Sequence, residues 1–233
     1  MSYDTKSEWE RFYMSKKPGR KTYPNEYVVR IFMGSNPRLN LDKSRYHKQR
    51  ICDVGCGDGR NIVLFHDLGL ETHGVEITEE IVSAAKLRLK TVENIDARIR
   101  VGTNDSIPYE DSYFDYLLSW GACYYMGEQE DFGQYVKEFA RVLKPGGYLI
   151  LLIPKPTHFI FKGSMTVHPG YQLIQNDPVG IRNGEVLRMF EDEREIQEVF
   201  GQNFDHFIMG SQEDDCFGEE FHVFLVVCQK KAQ

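Results

Sequence analysis

The chain has 233 residues, of which 41 % are hydrophobic and 27 % charged, a composition that suits one soluble globular domain with a full α/β core. The net charge of −7 argues against binding to a phosphate backbone, which needs clustered Lys and Arg, and no apolar run reaches the length of a membrane span. The five scattered cysteines show neither C-x-x-C nor Cys/His ligand spacing, so no disulfide framework or metal site is expected.

Residues 1–33 read as two short aromatic-rich helices bearing Trp9, Phe12, Tyr13, Tyr23, Tyr27 and Phe32, broken at Lys16-Lys17-Pro18-Gly19. The start, Met1-Ser2-Tyr3-Asp4, lacks a basic-then-apolar leader pattern, so the expected compartment is the cytoplasm. Gly34 to Asn40 reads as a loop, and the basic run Lys43–Arg50 as a solvated approach to the first strand, with contact to an anionic substrate as the other reading. There follow a strand at 50–54, a helix at 59–68, a strand at 72–76, a helix at 79–93, strands at 97–101 and 114–119, a helix at 129–143 and a strand at 147–153. This alternation predicts a parallel sheet with helices on both faces. Tyr148-Leu149-Ile150-Leu151-Leu152-Ile153 is apolar throughout, as a strand covered on both faces must be. After Pro154 the periodicity weakens. His158 to Asn183 reads as a long irregular stretch, the form of a lid or binding loop, followed by a helix at 191–200 and closing strands at 204–209 and 220–229.

The most informative run is Ile51-Cys52-Asp53-Val54-Gly55-Cys56-Gly57-Asp58-Gly59-Arg60. A strand ends in an acid, three glycines alternate, and a helix begins. Glycine admits positive φ and close approach of a ligand to the backbone, and the helix N-terminus offers unpaired N–H groups. Thr72-His73-Gly74-Val75-Glu76 is a second strand ending in an acid, roughly 20 residues past the turn, the spacing at which an acid holds ribose hydroxyls. A dinucleotide fingerprint requires a small residue where this chain has Arg60. The turn instead resembles the D-V-G-C-G-x-G motif of the class I S-adenosylmethionine-dependent methyltransferases. Val75-Glu76, Ile107-Pro108-Tyr109 with Ser112-Tyr113-Phe114-Asp115-Tyr116, and Arg141-Val142-Leu143-Lys144-Pro145-Gly146-Gly147 resemble further motifs of that family in the same order. The resemblance covers residues 50–153.

It implies an α/β fold of Rossmann-like type: a seven-stranded, mostly parallel sheet with an antiparallel last strand and helices on both faces. The single domain, 1–233, would comprise an N-terminal helical lid at 1–35, a cofactor-binding core at 50–153, a substrate-side insertion and helix at 154–203, and closing strands at 204–233. The implied cofactor is S-adenosylmethionine. Gly55, Cys56, Gly57 and Gly59 would approach its methionine part, Asp53 would order the turn and the cofactor ammonium, Glu76 would accept from both ribose hydroxyls, and Ile77 would pack on the adenine. At the adenine edge many relatives carry an acid where this chain has Thr103; Asn104 or Asp105 could replace it. Ser119 and Trp120 should pass beneath the methionine end, and Trp120 and Tyr124 should line the transfer channel, where an aromatic wall favours a sulfonium.

Candidates for a catalytic base are Tyr124, His158, His168 and His222; a lone histidine is more often structural than catalytic. The expected function is methyl transfer to O or N of a small polar metabolite, such as a sugar nucleotide or phosphorylated intermediate of surface-glycan synthesis. A quinone-like or natural-product acceptor, and a non-catalytic cofactor-binding protein, are the rival readings. No nucleic acid, membrane or metal is expected to take part, and a homodimer is left open. Acceptor specificity is expected from Lys155, His158, Lys162, His168, Tyr171, Gln172 and Arg182 in the stretch after the fifth strand.

Overall fold

The computed structural model describes residues 5–17, 19–39, 41–126 and 131–232. Two helices lead, α1 at Thr5–Met14 and α2 at Glu26–Met33, and Asn25 caps the second by accepting from the Tyr27 amide. The core alternates β1 (Arg50–Val54), α3 (Arg60–Asp67), β2 (Glu71–Glu76), α4 (Glu79–Val92), β3 (Arg98–Val101) and β4 (Phe114–Trp120). A two-residue strand β5 (Tyr125–Met126) follows, then α5 (Phe132–Val142) and β6 (Leu143–Pro154). The predicted helix at 129–143 starts at Phe132, behind an Asp131 cap that accepts from the Gly133 amide; positions 129 and 130 lie outside the described residues.

Beyond Pro154 come β7 (Met165–His168), β8 (Tyr171–Leu173), β9 (Val186–Arg188), α6 (Glu193–Phe200), β10 (Phe204–Cys216) and β11 (Glu219–Lys230). The main sheet has the order β10-β11-β6-β4-β1-β2-β3. Strands β3, β2, β1, β4 and β6 run parallel, and β11 inserts antiparallel between β6 and β10. The seven-stranded, mostly parallel sheet predicted from the sequence is therefore present. Its alternation sorts side chains to opposite faces. Leu149, Leu151 and Ile153 join Phe139 of α5 and Phe200 of α6, while Ile150 and Leu152 join Phe32 of α2 and Phe65 of α3. This two-sided burial explains why β6 is apolar from Tyr148 to Ile153.

Two features depart from the sequence-based reading. The stretch 158–183 is not wholly irregular: β7 and β8, with β9 and β5, form a second antiparallel sheet of order β5-β9-β8-β7. Its strands span two to four residues, too short to show a period of two. The closing strands also run longer than predicted, because Gln212–Cys216 pairs back on Glu219–Val223. That extension is polar and acidic, so it carries no apolar alternation. Its turn places Phe217 and Gly218 both at positive φ, the backbone of a tight hairpin connection.

The strand order reverses between β1 and β4, and an open α/β sheet binds ligands in the crevice at such a switch point. Pairing of β5 with β9 anchors the small sheet just past β4, and α1 closes the same end.

Candidate active site

The glycine turn is held open by its own backbone. Gly55, Gly57 and Gly59 have φ of +71°, +56° and +77°, a region that side-chain-bearing residues avoid. A Cβ at Gly55 would strike Ala122 Cβ, and one at Gly57 would strike the Tyr13 hydroxyl. Gly59 packs against Leu89 of α4. The Gly55 and Cys56 amides donate to Val75 O at 2.9 and 3.2 Å, tying the turn to β2. Glu76, 5 % exposed at the end of β2, accepts from the Gly57 amide through Oε1 (2.7 Å) and from the Ile77 amide through Oε2 (2.9 Å). Burial raises its pKa, and the two backbone bonds oppose the rise.

Behind the turn, Asp53 is 1 % exposed, and burial pushes its carboxyl up to about 7. Asn61 on α3 donates to Asp53 Oδ2 at 3.4 Å and accepts from the Asn25 amide at 3.1 Å. The acid of β1 is thus connected through α3 to the cap of α2.

In front of the turn lies a cavity with about 630 Å³ of empty space including its mouth. Gly55, Glu76, Ile77, Thr103, Asn104 and Ala122 line it, and Trp9, Tyr13 and Tyr125 close it. The cavity suits a nucleoside at two points. The Glu76 oxygens, each engaged by one amide, keep further lone pairs. Asn104 donates through Nδ2 to Ala122 O (3.0 Å), while its buried Oδ1 has no partner among the described residues. This orphaned acceptor lies on a residue expected to meet the adenine edge, and an exocyclic amino group would fit it. Asp105 lies outside the cavity and accepts from the Thr103 hydroxyl.

Gly55 and Gly121, with Trp9 and Tyr13, also line a larger chamber with about 1690 Å³ of empty space including its mouth. Cys56, Trp120, Tyr124, His158, Arg182 and Phe221 are among its walls. Ser119 is fully buried in β4 and lines neither space. Among the candidate bases, Tyr124 sits near Gly121, at the junction of the two spaces, and burial raises its pKa well above the usual phenol value. His158 Nδ1 accepts from the Ile160 amide at 3.2 Å, so the neutral ring carries its proton on Nε2; burial and the nearby Arg182 charge push its pKa down to about 3. His168 is exposed on β7 against the Tyr171 ring, outside the chamber. His222 pairs with the Thr157 hydroxyl on β11, also outside it. Of the predicted specificity residues, His158 and Arg182 line the chamber and Lys155, Lys162, His168, Tyr171 and Gln172 do not. Asp177 holds Arg182 with both carboxylate oxygens (3.0 and 3.2 Å) while accepting from the Ile181 and Arg182 amides, and Arg182 Nε reaches the Tyr125 hydroxyl at 2.9 Å.

Trp9, Tyr13, Arg60 and Asn61 belong to the site although the motifs do not name them. Trp9, Phe12 and Tyr13 stand at i, i+3 and i+4, one face of a helix, and that spacing is the signal that could have marked them as cavity wall.

The family model for the methyltransferase domain matches residues 52–151. An uncharacterized methyltransferase of Bacillus subtilis is 34 % identical over 107 residues, covering 45 % of this chain and 40 % of the relative. A demethylmenaquinone methyltransferase of Staphylococcus aureus is 32 % identical over 130 residues, covering 54 % of this chain and 52 % of the relative. The chain therefore spans about half, or less, of the length of these relatives. A solved S-adenosylmethionine-dependent methyltransferase from Methanosarcina mazei shares the fold, with a TM-score of 0.65 at 21 % identity over 79 % of this chain and 93 % of that one. Residues 52–151 match the methyltransferase-domain model. That match, the seven-stranded sheet and the glycine turn support a class I S-adenosylmethionine-dependent methyltransferase, a class whose cofactor is S-adenosylmethionine.

Proposed function

We propose that the protein transfers a methyl group from S-adenosylmethionine to O or N of a small-molecule acceptor held in the chamber. The observation that carries this reading is that Gly55 and Gly121, with Trp9 and Tyr13, line both the cavity in front of the glycine turn and a second, larger space. When bound, the cofactor supplies a methyl group already activated by the sulfonium charge. The protein's part is then to align the acceptor and exclude water. Glu76 and Asn104 hold the nucleoside, the glycine turn admits the methionine part, and Trp9 and Tyr13 of α1 cover it.

Neither His158 nor Tyr124 offers a basic lone pair to the acceptor near neutral pH, since one has its free nitrogen bonded to Ile160 and the other stays a neutral phenol. His158 instead presents an N–H donor. The favoured acceptor is one that brings its own lone pair, either an amine or an already ionised oxygen. A phosphorylated or sugar-nucleotide metabolite remains the first reading. A quinone-like acceptor is the second, supported by the aromatic walls Phe12, Trp120, Phe159 and Phe221 and by the relative named as a demethylmenaquinone methyltransferase.

The test is incubation of the purified protein with methyl-labelled S-adenosylmethionine and fractionated metabolite extract. Label should appear in one small-molecule fraction. Tight binding of S-adenosylhomocysteine with no labelled product in any fraction would refute transfer.

A further inference from the structure

The walls of the acceptor chamber carry an imbalance of charge. Among the described residues they include five cationic side chains, Lys16, Arg20, Lys21, Arg60 and Arg182, and one carboxylate, Asp58. This occurs in a chain whose acids outnumber its bases, 35 to 28. Two of the cations are neutralised: Lys16 pairs with Asp58 at 3.0 Å, and Arg182 pairs with the fully buried Asp177. Arg20 and Lys21, in the link between α1 and α2, and Arg60, at the start of α3, have no carboxylate partner among the described residues. The donor does not cancel this charge. Its sulfonium and ammonium outweigh its one carboxylate, so a loaded site is more positive than an empty one.

The chamber also has apolar walls. Phe12, Phe159 and Phe221 contribute to them, together with Trp120, 8 % exposed, whose buried indole N–H has no partner among the described residues. A buried donor left unmade costs free energy, so it marks a place where a ligand oxygen or nitrogen fits.

We infer that the acceptor is a small molecule with a flat apolar body and a carboxylate or phosphate group, the anionic group being held by Arg20, Lys21 and Arg60 and the body lying against Trp120. This rests on the methyltransferase reading above. In the transfer, the acceptor lone pair forms the new bond to the methyl carbon, the C–S bond breaks with its electron pair going to sulfur, and any proton on the acceptor atom leaves to solvent. The sulfonium becomes a neutral thioether in that step, balanced by the proton an amine acceptor gives to solvent or by the negative charge an ionised oxygen gives up.

The probes are phenyl phosphate, benzoate and the neutral isostere benzamide, titrated by calorimetry into the protein saturated with S-adenosylhomocysteine, so that the cofactor's own carboxylate is already in place. Both anions should bind at least about tenfold more tightly than benzamide, a preference that shrinks as salt is added. The double variant Arg20→Gln/Lys21→Gln should weaken both anions about fivefold or more and leave benzamide and S-adenosylhomocysteine unchanged. Stronger binding of phenyl phosphate selects the phosphate form of the acceptor, and stronger binding of benzoate the carboxylate form. Benzamide binding as well as the anions, no binding of either anion at millimolar concentration, or full anion affinity in the double variant overturns the inference. Failure of S-adenosylhomocysteine to bind at all would overturn the methyltransferase reading instead.

Discussion

Glu76→Ala separates the turn-holding role of one carboxylate from the ribose-binding role proposed for it. In the folded chain Oε1 accepts from the Gly57 amide at 2.7 Å and Oε2 from the Ile77 amide at 2.9 Å, leaving further lone pairs for the two ribose hydroxyls. Loss of a two-point, charge-assisted contact to the ribose is worth roughly 2–3 kcal/mol, about thirty- to a hundredfold in cofactor affinity. The same change strips the buried Gly57 N–H of its acceptor, which costs about 1–3 kcal/mol of folding free energy. Part of that cost is offset because the buried carboxylate, whose pKa burial already raises, no longer has to be desolvated. A net destabilisation of about 1–2 kcal/mol is therefore expected. Calorimetry with S-adenosylhomocysteine reads the first effect and urea unfolding the second. Glu76→Gln keeps the shape and one acceptor oxygen, so it should be intermediate in both assays. An unchanged dissociation constant for the alanine variant would show that Glu76 does not reach the ribose. An unchanged unfolding free energy would show that it does not hold the turn.

Asn104→Ala should lower S-adenosylhomocysteine affinity about tenfold and leave the deaminated inosine analogue unaffected, because the orphaned Oδ1 has an amino group to accept from only in the adenine compound; equal losses for both compounds would displace Asn104 from the adenine edge. Asp53, at about 7 in the free protein, should release a proton when a cofactor ammonium approaches, so affinity should rise with pH and level off above about 7, by up to tenfold per unit below it. The free protein should lose stability as pH rises from the unfolded value of 3.8 towards about 7, because burial disfavours the carboxylate; Asp53→Asn should abolish both trends, and a flat affinity profile in the parent would confine Asp53 to ordering the turn. His158→Asn should reduce turnover by no more than about tenfold, since a general base contributes about 10²–10⁴; a thousandfold loss would restore His158 as the base. Hydrogen exchange in 5–33 should slow when S-adenosylhomocysteine binds, because Tyr13 rests on Gly57 and Trp9 lines the cavity; equal protection with and without ligand would mean that α1 is a fixed wall.

The glycine turn was legible because its geometry is local. Gly55 to Gly59 must take positive φ within five residues, and the acid that receives the Gly57 amide ends the next strand, so residue type and spacing both record the contact. The sheet was legible for the same reason: strands buried on both faces carry unbroken apolar runs, and helices carry their caps. The small sheet over the site was not, because strands of two to four residues lack a period, and pairing of β5 with β9 joins segments about sixty residues apart. Histidines could be nominated as bases from the sequence, yet which nitrogen is free depends on the Ile160 amide, and that is a property of the fold. The acceptor side was hidden at a deeper level. Lys16 and Arg20 stand four residues apart with the same charge, and nothing in the sequence distinguishes them. In the fold Lys16 is spent on Asp58, 42 residues away, and Arg20 is left facing the chamber with no such partner among the described residues. Specificity of this kind is written in what a charge fails to meet, and a linear pattern of residues cannot show an absent neighbour until the chain is folded.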